Sequence, residues 1–416
     1  MTATVTLIGL DGQLLPPGAG PVLAAARLVV GERSVVNRWL ATTPGAVPSG
    51  SAAGPRTVEV ARSTQLFDST LDLLAESVNA GEPAVVLVSG DPGYFGALRG
   101  LRERRLPTEC LPAVSRVQRV AAMIQRPWDD ITVVSGHGSA FGRAVNVCRA
   151  RPAVAVLTAP GAGPAELGRE LVGWRRTLVV LEDIGGPGEE LSIVDPAEAA
   201  ARPWRSPNVV LSLTDLDRVG VDGWLAGGEP VPPAEGWALP TDAFAHREGM
   251  SSSPELRALA LARLAPRPGT LMWDVAAGSG AMGIEAGRLG AAVVAVENDP
   301  GLYVRLVANA RRYGVDVRLV DGAMPDALYD LPQPDAVFLA TARGDVVRCC
   351  AGVGASRIVI EIHELGSVGP ARDALVDAGY AVDGRLLSSA PIHGLASGGA
   401  SVARATSTLL LWGSRR

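Results

Sequence analysis

Residues 271 to 297 read LMWDV, AAGSG, AMGIEAGRLG and AAVVAVE in unbroken succession, and this stretch restricts the fold more than any other in the chain. Two short apolar runs rich in valine are joined through a small-residue loop and a stretch with helical spacing. Strands linked by a helix pair in parallel, because an antiparallel pair needs only a tight turn. The loop is expected at the carboxyl end of the first strand. The second half of the chain is therefore expected to hold a doubly wound α/β sheet.

The same alternation extends in both directions. In the first half, strands are expected at Val5 to Leu10, Ala84 to Val88, Ile131 to Val134, Val154 to Leu157, Leu178 to Leu181 and Val209 to Leu213. In the second half they are expected at Leu271 to Val275, Ala292 to Val296, Val317 to Val320, Ala336 to Leu339, Arg357 to Ile362 and Ser407 to Trp412. Between the two series, LAGGEPVPPAEG at 225–236 is rich in Gly and Pro and reads as a linker. The division is placed at 1–214, a linker at 215–240, and 241–416. A chain of 416 residues, 47% of them hydrophobic, is long enough for two cores. After the linker, Ser252 or Ser253 is positioned to cap a helix with Pro254 and Glu255 in its first turn.

Composition excludes some classes. The net charge is -5, aromatic residues make up 4%, and there is no basic stripe, so nucleic acid is not an expected partner. All 38 basic residues are arginine. The four cysteines, Cys110, Cys148, Cys349 and Cys350, form no CxxC pair, so neither a disulfide framework nor a metal site is expected. No signal-peptide pattern and no run of about 20 apolar residues is present, and a cytoplasmic protein off the membrane is the expectation.

Chemistry concentrates in the loop after Val275. Glycines at 278 and 280 let a ligand approach the backbone, and Glu297 closes the next strand, where a carboxylate takes ribose hydroxyls. A nicotinamide dinucleotide would want GxGxxG and a pyrophosphate at the helix start. Here Asp274 precedes the loop, where it would repel a pyrophosphate and pair with a cationic amino-acid group. Asp274, Ala276, Gly278, Ser279, Gly280 and Glu297 resemble the cofactor motifs of Class I methyltransferases, which implies S-adenosylmethionine. Asp321 and Gly322 end the following strand, near where an adenine would lie. Taken alone they read as turn residues.

The first half carries Gly9 to Gly12, then Ser89, Gly90, Asp91, Pro92 and Gly96, then Pro112 to Ser115, then PWDDITVVSGHG. Singly these are turns. In this order they resemble the tetrapyrrole methylase family, whose two α/β lobes hold S-adenosylmethionine between them. That resemblance implies cofactor contacts from Gly90, Asp91 and Ser115. Asp242, Phe244, His246, the Trp273 to Gly280 stretch, Glu297, Asn309 and PDAVF at 334–338 resemble decarboxylating C15-methyltransferases of cobalamin biosynthesis. Across nearly the whole chain the order resembles the decarboxylating precorrin C5,15-methyltransferase family. The resemblance implies methylation of a precorrin at C5 by the first domain. It implies methylation at C15 with loss of the C12 acetate carboxyl by the second, and a homo-oligomer. Loops depart from the family's pattern: its Asn-Ala-Val-Thr stands here as Glu361, Ile362, His363 and Glu364, and its Leu-His/Val-Gly-Arg turn as Gly136, His137, Gly138 and Ser139.

Methyl transfer from a sulfonium needs positioning more than a nucleophilic side chain. His246 matches a family histidine and is the candidate catalytic residue, with a capping role the equal alternative. Arg116, Arg257 and Arg343 are candidates for substrate carboxylates, though each reads more simply as a solvated residue. Glu361 and His363 are candidates for proton work, but the family has no such residues there and a structural role is the first reading. Two other readings stay open: a diverged methyltransferase for another tetrapyrrole or small molecule, and a non-catalytic S-adenosylmethionine-binding protein.

Overall fold

In a computed structural model, the described residues are 3–11, 15–32, 35–37, 56–60, 68–217, 225–228, 233–247, 252–390, 392–394, 399–403 and 405–415. The chain divides into two compact units. Unit 1 comprises residues 1–141, 153–172 and 176–227. Unit 2 comprises 142–152, 173–175 and 228–416.

Unit 1 holds two five-stranded sheets. The first contains β1 (Val5–Leu10), β2 (Leu28–Glu32), β3 (Arg56–Val60), β4 (Ala84–Ser89) and β5 (Thr108–Leu111), in the order β3-β2-β4-β1-β5 with every pair parallel. Parallel strands are covered on both faces, so they read as continuous apolar runs. Accordingly Val5, Leu7 and Val86 pack into one cluster, while Ile8, Val85 and Leu87 pack into another. The second sheet contains β6 (Thr132–Ser135), β7 (Ala153–Leu157), β8 (Thr177–Glu182), β9 (Glu190–Val194) and β10 (Val209–Leu213), in the order β6-β7-β10-β8-β9. Only β6 and β7 pair in parallel there. One helix of unit 1, α1 (Arg116–Met123), matters below. Its cap, Ser115, accepts from Gln118 N at 3.2 Å, and Gln118 Oε1 accepts from Ser115 N at 2.9 Å. This reciprocal box fixes where the helix begins.

Unit 2 is built on a seven-stranded sheet. It contains β11 (Leu271–Val275), β12 (Ala292–Val296), β13 (Val317–Val320), β14 (Ala336–Leu339), β15 (Arg357–Ile362) and β16 (Ala381–Ser389). A short hairpin, β17 (Ile392–Gly394) and β18 (Ala400–Val402), then leads to β19 (Thr406–Ser414), and the sheet order is β13-β12-β11-β14-β15-β19-β16. The first five strands in that order are parallel, and β19 runs antiparallel between β15 and β16. The helices used below are α2 (Pro254–Leu264), α3 (Ala281–Arg288) and α4 (Pro300–Arg312). Leu271, Trp273 and Val275 face one core cluster. Met272 faces the other, where Leu256, Ala260 and Leu264 of α2 meet it. Asp274 lies on the Met272 side of this alternation.

The α/β class and every strand expected from the sequence are present, with ends moved by a residue or two at most. Strands not anticipated are β2, β3, β5, β9, β16 and the hairpin β17 and β18; β3, β5, β9 and β16 lie at sheet edges, whereas β2 is a buried inner strand whose apolar run, LVV, is only three residues long. An edge strand buries less of either face, and β5, β9 and β16 mix exposed and partly covered side chains along their lengths. Their sequences therefore lack both the alternating and the continuous apolar signature. Ser253 is the α2 cap, accepting from Leu256 N, with Pro254 opening the first turn. No helix among the described residues is long and apolar enough to cross a membrane.

Candidate cofactor sites

In unit 2, Asp274 sits one residue before the end of β11 and is fully buried. The chain then turns through left-handed backbone at Ala276 (φ 58), Gly278 (φ 59) and Gly280 (φ 78). Gly280 has a double reason to be glycine, since a Cβ there would also lie 2.6 Å from Leu306 Cγ. Helix α3 starts immediately and brings Gly283 back over β11. Its amide donates to Asp274 Oδ2 at 2.8 Å. Asp274 Oδ1 is buried and has no hydrogen-bond partner among the described residues. Leaving a buried acceptor unpaired costs about 1–3 kcal/mol. Burial, above all, pushes the Asp274 carboxyl up to about 7, the Gly283 amide opposes this, and Glu297 and Glu361 add repulsion. A cation or a donor delivered to this point would relieve both penalties.

Glu297 follows β12 and is also buried. Its Oε2 accepts from Gly278 N at 2.7 Å, and its Oε1 accepts from Asn298 N at 2.9 Å and Asp299 N at 2.8 Å. These bonds lock one carboxylate orientation and tie it to the glycine loop. Ser279 is buried, and its carbonyl accepts from Asn309 Nδ2 at 2.9 Å. The same amide donates to Ala245 O at 2.9 Å, and Asn309 Oδ1 accepts from Ala245 N at 2.8 Å. Asn309 of α4 therefore staples the segment carrying His246 to the loop. Nothing in the sequence gave Asn309 this role beyond its place in the family resemblance.

His246 is half-buried, and its Nδ1 pairs with Phe244 O at 2.8 Å. With Nδ1 as donor, Nε2 is the ring's acceptor. Asp321 is exposed beyond β13, and Gly322 is partly covered, with Ala327 Cβ 2.8 Å from where its own Cβ would be. Glu361 is 7% exposed at the carboxyl end of β15, and His363 Nε2 lies 3.5 Å from its Oε1. Burial raises the Glu361 carboxyl, against the pull of His363 and Arg257.

The arginines separate. Arg257 is not a solvated residue: it is fully buried and donates from Nε to Glu285 Oε1 at 3.0 Å. It also bonds Ser252 O and Leu239 O, while Glu285 accepts from Ala238 N at 2.6 Å and Leu239 N at 3.0 Å. It is a structural pin for the segment leading into α2. Arg343 is exposed and paired with Asp345 at 2.6 Å. Arg116 belongs to unit 1.

In unit 1, the first three of the four stretches singled out by their order in the sequence converge on Gly9. A Cβ there would meet Gly90 O at 2.7 Å, Ala113 N at 2.9 Å and Pro92 Cδ at 2.9 Å. Gly90 is left-handed (φ 80) and its amide donates to Leu10 O at 2.7 Å. Asp91 Oδ1 accepts from Gly93 N at 2.7 Å. Gly90, Asp91, Ser115, Arg116 and His137 are among the residues lining a small cavity of about 30 Å³. Arg116 and His137 also line a larger cleft of about 260 Å³, with Glu32, Glu166 and Asn208. Burial and the Arg116 charge both lower the His137 pKa, and its Nδ1 pairs with Ser135 Oγ at 2.9 Å.

The chain matches known proteins in both parts. A family model of tetrapyrrole (corrin/porphyrin) methylases matches residues 6–201, and one of the precorrin methyltransferase domain matches residues 242–407. A precorrin-6Y C(5,15)-methyltransferase [decarboxylating] from Sinorhizobium sp is 35% identical over 267 residues, 62% of this chain and 62% of that protein. One from Mycobacterium tuberculosis is 37% identical over 162 residues, 38% of each. A probable cobalt-precorrin-6B C(15)-methyltransferase (decarboxylating) from Pyrobaculum calidifontis is 31% identical over 155 residues, 34% of this chain and 77% of that protein. The matched stretch thus spans under two thirds of the first two relatives and more than two thirds of the third. The chain belongs to the decarboxylating precorrin methyltransferase family, with a tetrapyrrole methylase region preceding the precorrin methyltransferase domain.

Proposed function

We propose that the chain is an S-adenosylmethionine-dependent C-methyltransferase. It methylates a precorrin at C5 and C15 and releases the C12 acetate carboxyl as carbon dioxide. The observation that carries this reading is the orphaned, buried Asp274 oxygen beside a left-handed glycine loop and a pre-oriented Glu297. The cofactor's ammonium suits Asp274 and its ribose hydroxyls suit Glu297. Ala276, Gly278, Ser279 and Gly280 allow close backbone approach, and Asp321 and Gly322 lie on the adenine side. A dinucleotide suits the site less well, because its pyrophosphate would meet a buried carboxylate.

When bound, the cofactor supplies an electrophilic methyl on a sulfonium. The protein's own contribution is position and exclusion of water. Asp274 and Glu297 hold the two ends of the ligand in fixed register. His246 has Nδ1 committed to Phe244 O, and in this reading its Nε2 serves as the proton acceptor for the substrate. In unit 1, Gly90, Asp91 and Ser115 form the second cofactor site. The division of labour follows the boundaries 1–214 and 241–416 with a linker between. The reading extends to a homo-oligomer, which the tetrapyrrole methylase resemblance supports, working in the cytoplasm off membranes and nucleic acid, which the charge balance and the lack of long apolar runs favour.

The test is to incubate the full chain with reduced precorrin and methyl-labelled cofactor, then read the product's mass. Gain of two labelled methyls with loss of carbon dioxide supports the proposal. Cofactor binding without any change in precorrin mass overturns it.

A further inference from the structure

Arg116 opens α1 and its side chain crosses Gly90. A Cβ on Gly90 would lie 3.5 Å from Arg116 Cγ, an ordinary contact distance, so the arginine stem runs directly alongside the Gly90 backbone. At its far end Nε donates to Ser89 Oγ at 3.3 Å, a neutral and long contact. Among the described residues no carboxylate reaches ion-pair distance of its two Nη groups. Burial nonetheless lowers its pKa, with Glu32 opposing from farther off. Its guanidinium is partly covered in the cleft wall with no anion beside it among the described residues, so its charge keeps an unmet demand for a negative partner. This one lines both the cavity at Gly90 and Asp91 and the larger cleft.

The charges around it narrow what it awaits. Glu166, also in the cleft wall, is already committed to Arg169 at 2.8 Å and Gly163 N at 3.0 Å. Asp91 is committed in part to Gly93 N. His137 is held toward its neutral form by burial and by Arg116 itself. Arg116 is thus an unpaired cation with acidic neighbours set farther off. A dianion such as phosphate would be repelled by Glu32 and Asp91. A single carboxylate matches the guanidinium fork with two parallel hydrogen bonds.

We infer that Arg116 is the carboxylate-binding residue of the unit 1 cleft. This rests on the proposed function, in which two carboxylate sources reach the cleft: the amino-acid end of the cofactor and the acid side chains of the precorrin. If the cofactor supplies it, its ammonium falls on the side of Asp91 and Glu32, and the site reads a zwitterion.

The experiment uses the full chain, native, Arg116→Gln and Arg116→Lys. Calorimetric titration with S-adenosylhomocysteine is paired with titration by 5′-methylthioadenosine, which lacks the amino-acid end. KM for the reduced precorrin is measured alongside. If the cofactor's carboxylate is the partner, Arg116→Gln weakens one of two S-adenosylhomocysteine sites by about 10- to 100-fold and leaves methylthioadenosine unchanged. Arg116→Lys keeps the charge but not the fork and recovers only part. If the substrate's carboxylate is the partner, both titrations stay native and the precorrin KM rises by a similar factor. Native behaviour in all three overturns the inference. A native chain that binds S-adenosylhomocysteine and leaves precorrin unmethylated defeats the proposed function instead, and the titrations still decide Arg116.

Discussion

The Gly283 amide donates to Asp274 Oδ2 at 2.8 Å, and a Cβ on residue 283 would lie 2.8 Å from that same oxygen. Hydrogen bond and glycine are one requirement: α3 can approach β11 closely enough to hold the carboxylate only without a side chain. Gly283→Ala is expected to push α3 off the strand and to cost about 1–3 kcal/mol of stability through overpacking, since Val293 Cγ1 at 3.0 Å blocks the alternative path. Chemical denaturation measures the loss. Titration with S-adenosylhomocysteine is expected to show one site weakened and the other native.

Asp274 also sets a pH dependence. Its native carboxyl is raised from 3.8 to about 7, so the folded chain keeps a proton that the unfolded chain has released. Between those values the native state binds more protons, and this group's contribution to stability falls as pH rises. Asp274→Asn is expected to remove that slope in denaturation curves. A cationic ligand acts oppositely, favouring the ionised form. Affinity at the unit 2 site should therefore rise as pH climbs toward 7 and level off above it. A flat profile in the native chain would contradict the assignment.

Arg257 and Glu285 form a fully buried ion pair whose remaining hydrogen bonds hold residues 238, 239 and 252. Removing one partner strands the other's charge. Arg257→Met is expected to destabilise unit 2 by about 3–5 kcal/mol, measured by urea unfolding. Replacing both partners by apolar residues should cost less than that single change, because no lone charge remains.

Asn309 is 2% exposed and serves three backbone groups across Ala245 and Ser279. Asn309→Ala leaves each without its partner, at about 1–3 kcal/mol for each group that water cannot reach. Asn309→Asp is expected to be worse, since it loses both donors and buries a charge. Both variants should weaken S-adenosylhomocysteine binding in unit 2 while the unit 1 site stays native.

Much of this was legible in the chain because buried parallel strands advertise themselves. VTLIGL and LMWDV have no polar face to disguise them, and β1 and β11 came out residue for residue. The glycine loop was legible for a related reason: only a ligand or a close backbone contact demands that conformation. Arg257 was not. An arginine on a helix looks solvated until the partner at Glu285, 28 residues away, is folded against it. Asn309 was hidden in the same way, its three partners lying 30 and 64 residues distant. Residue Gly12, in the first turn, and residues 229–232 of the glycine- and proline-rich stretch at 225–236 lie outside the described residues.

In the proposed function one chain carries two methyl-transferring sites with separate duties. The most direct measurement is the product made from carbon-13 methyl-labelled cofactor and reduced precorrin by the native chain, Asp274→Ala and Asp91→Ala, with each new methyl located by NMR. Labels at C5 and C15 with loss of the acetate carboxyl are expected from the native chain. Asp274→Ala is expected to lose only the C15 label and decarboxylation, and Asp91→Ala only the C5 label. Both labels vanishing together in either folded variant, or an Asp274→Ala chain that still decarboxylates, would contradict that division of duties.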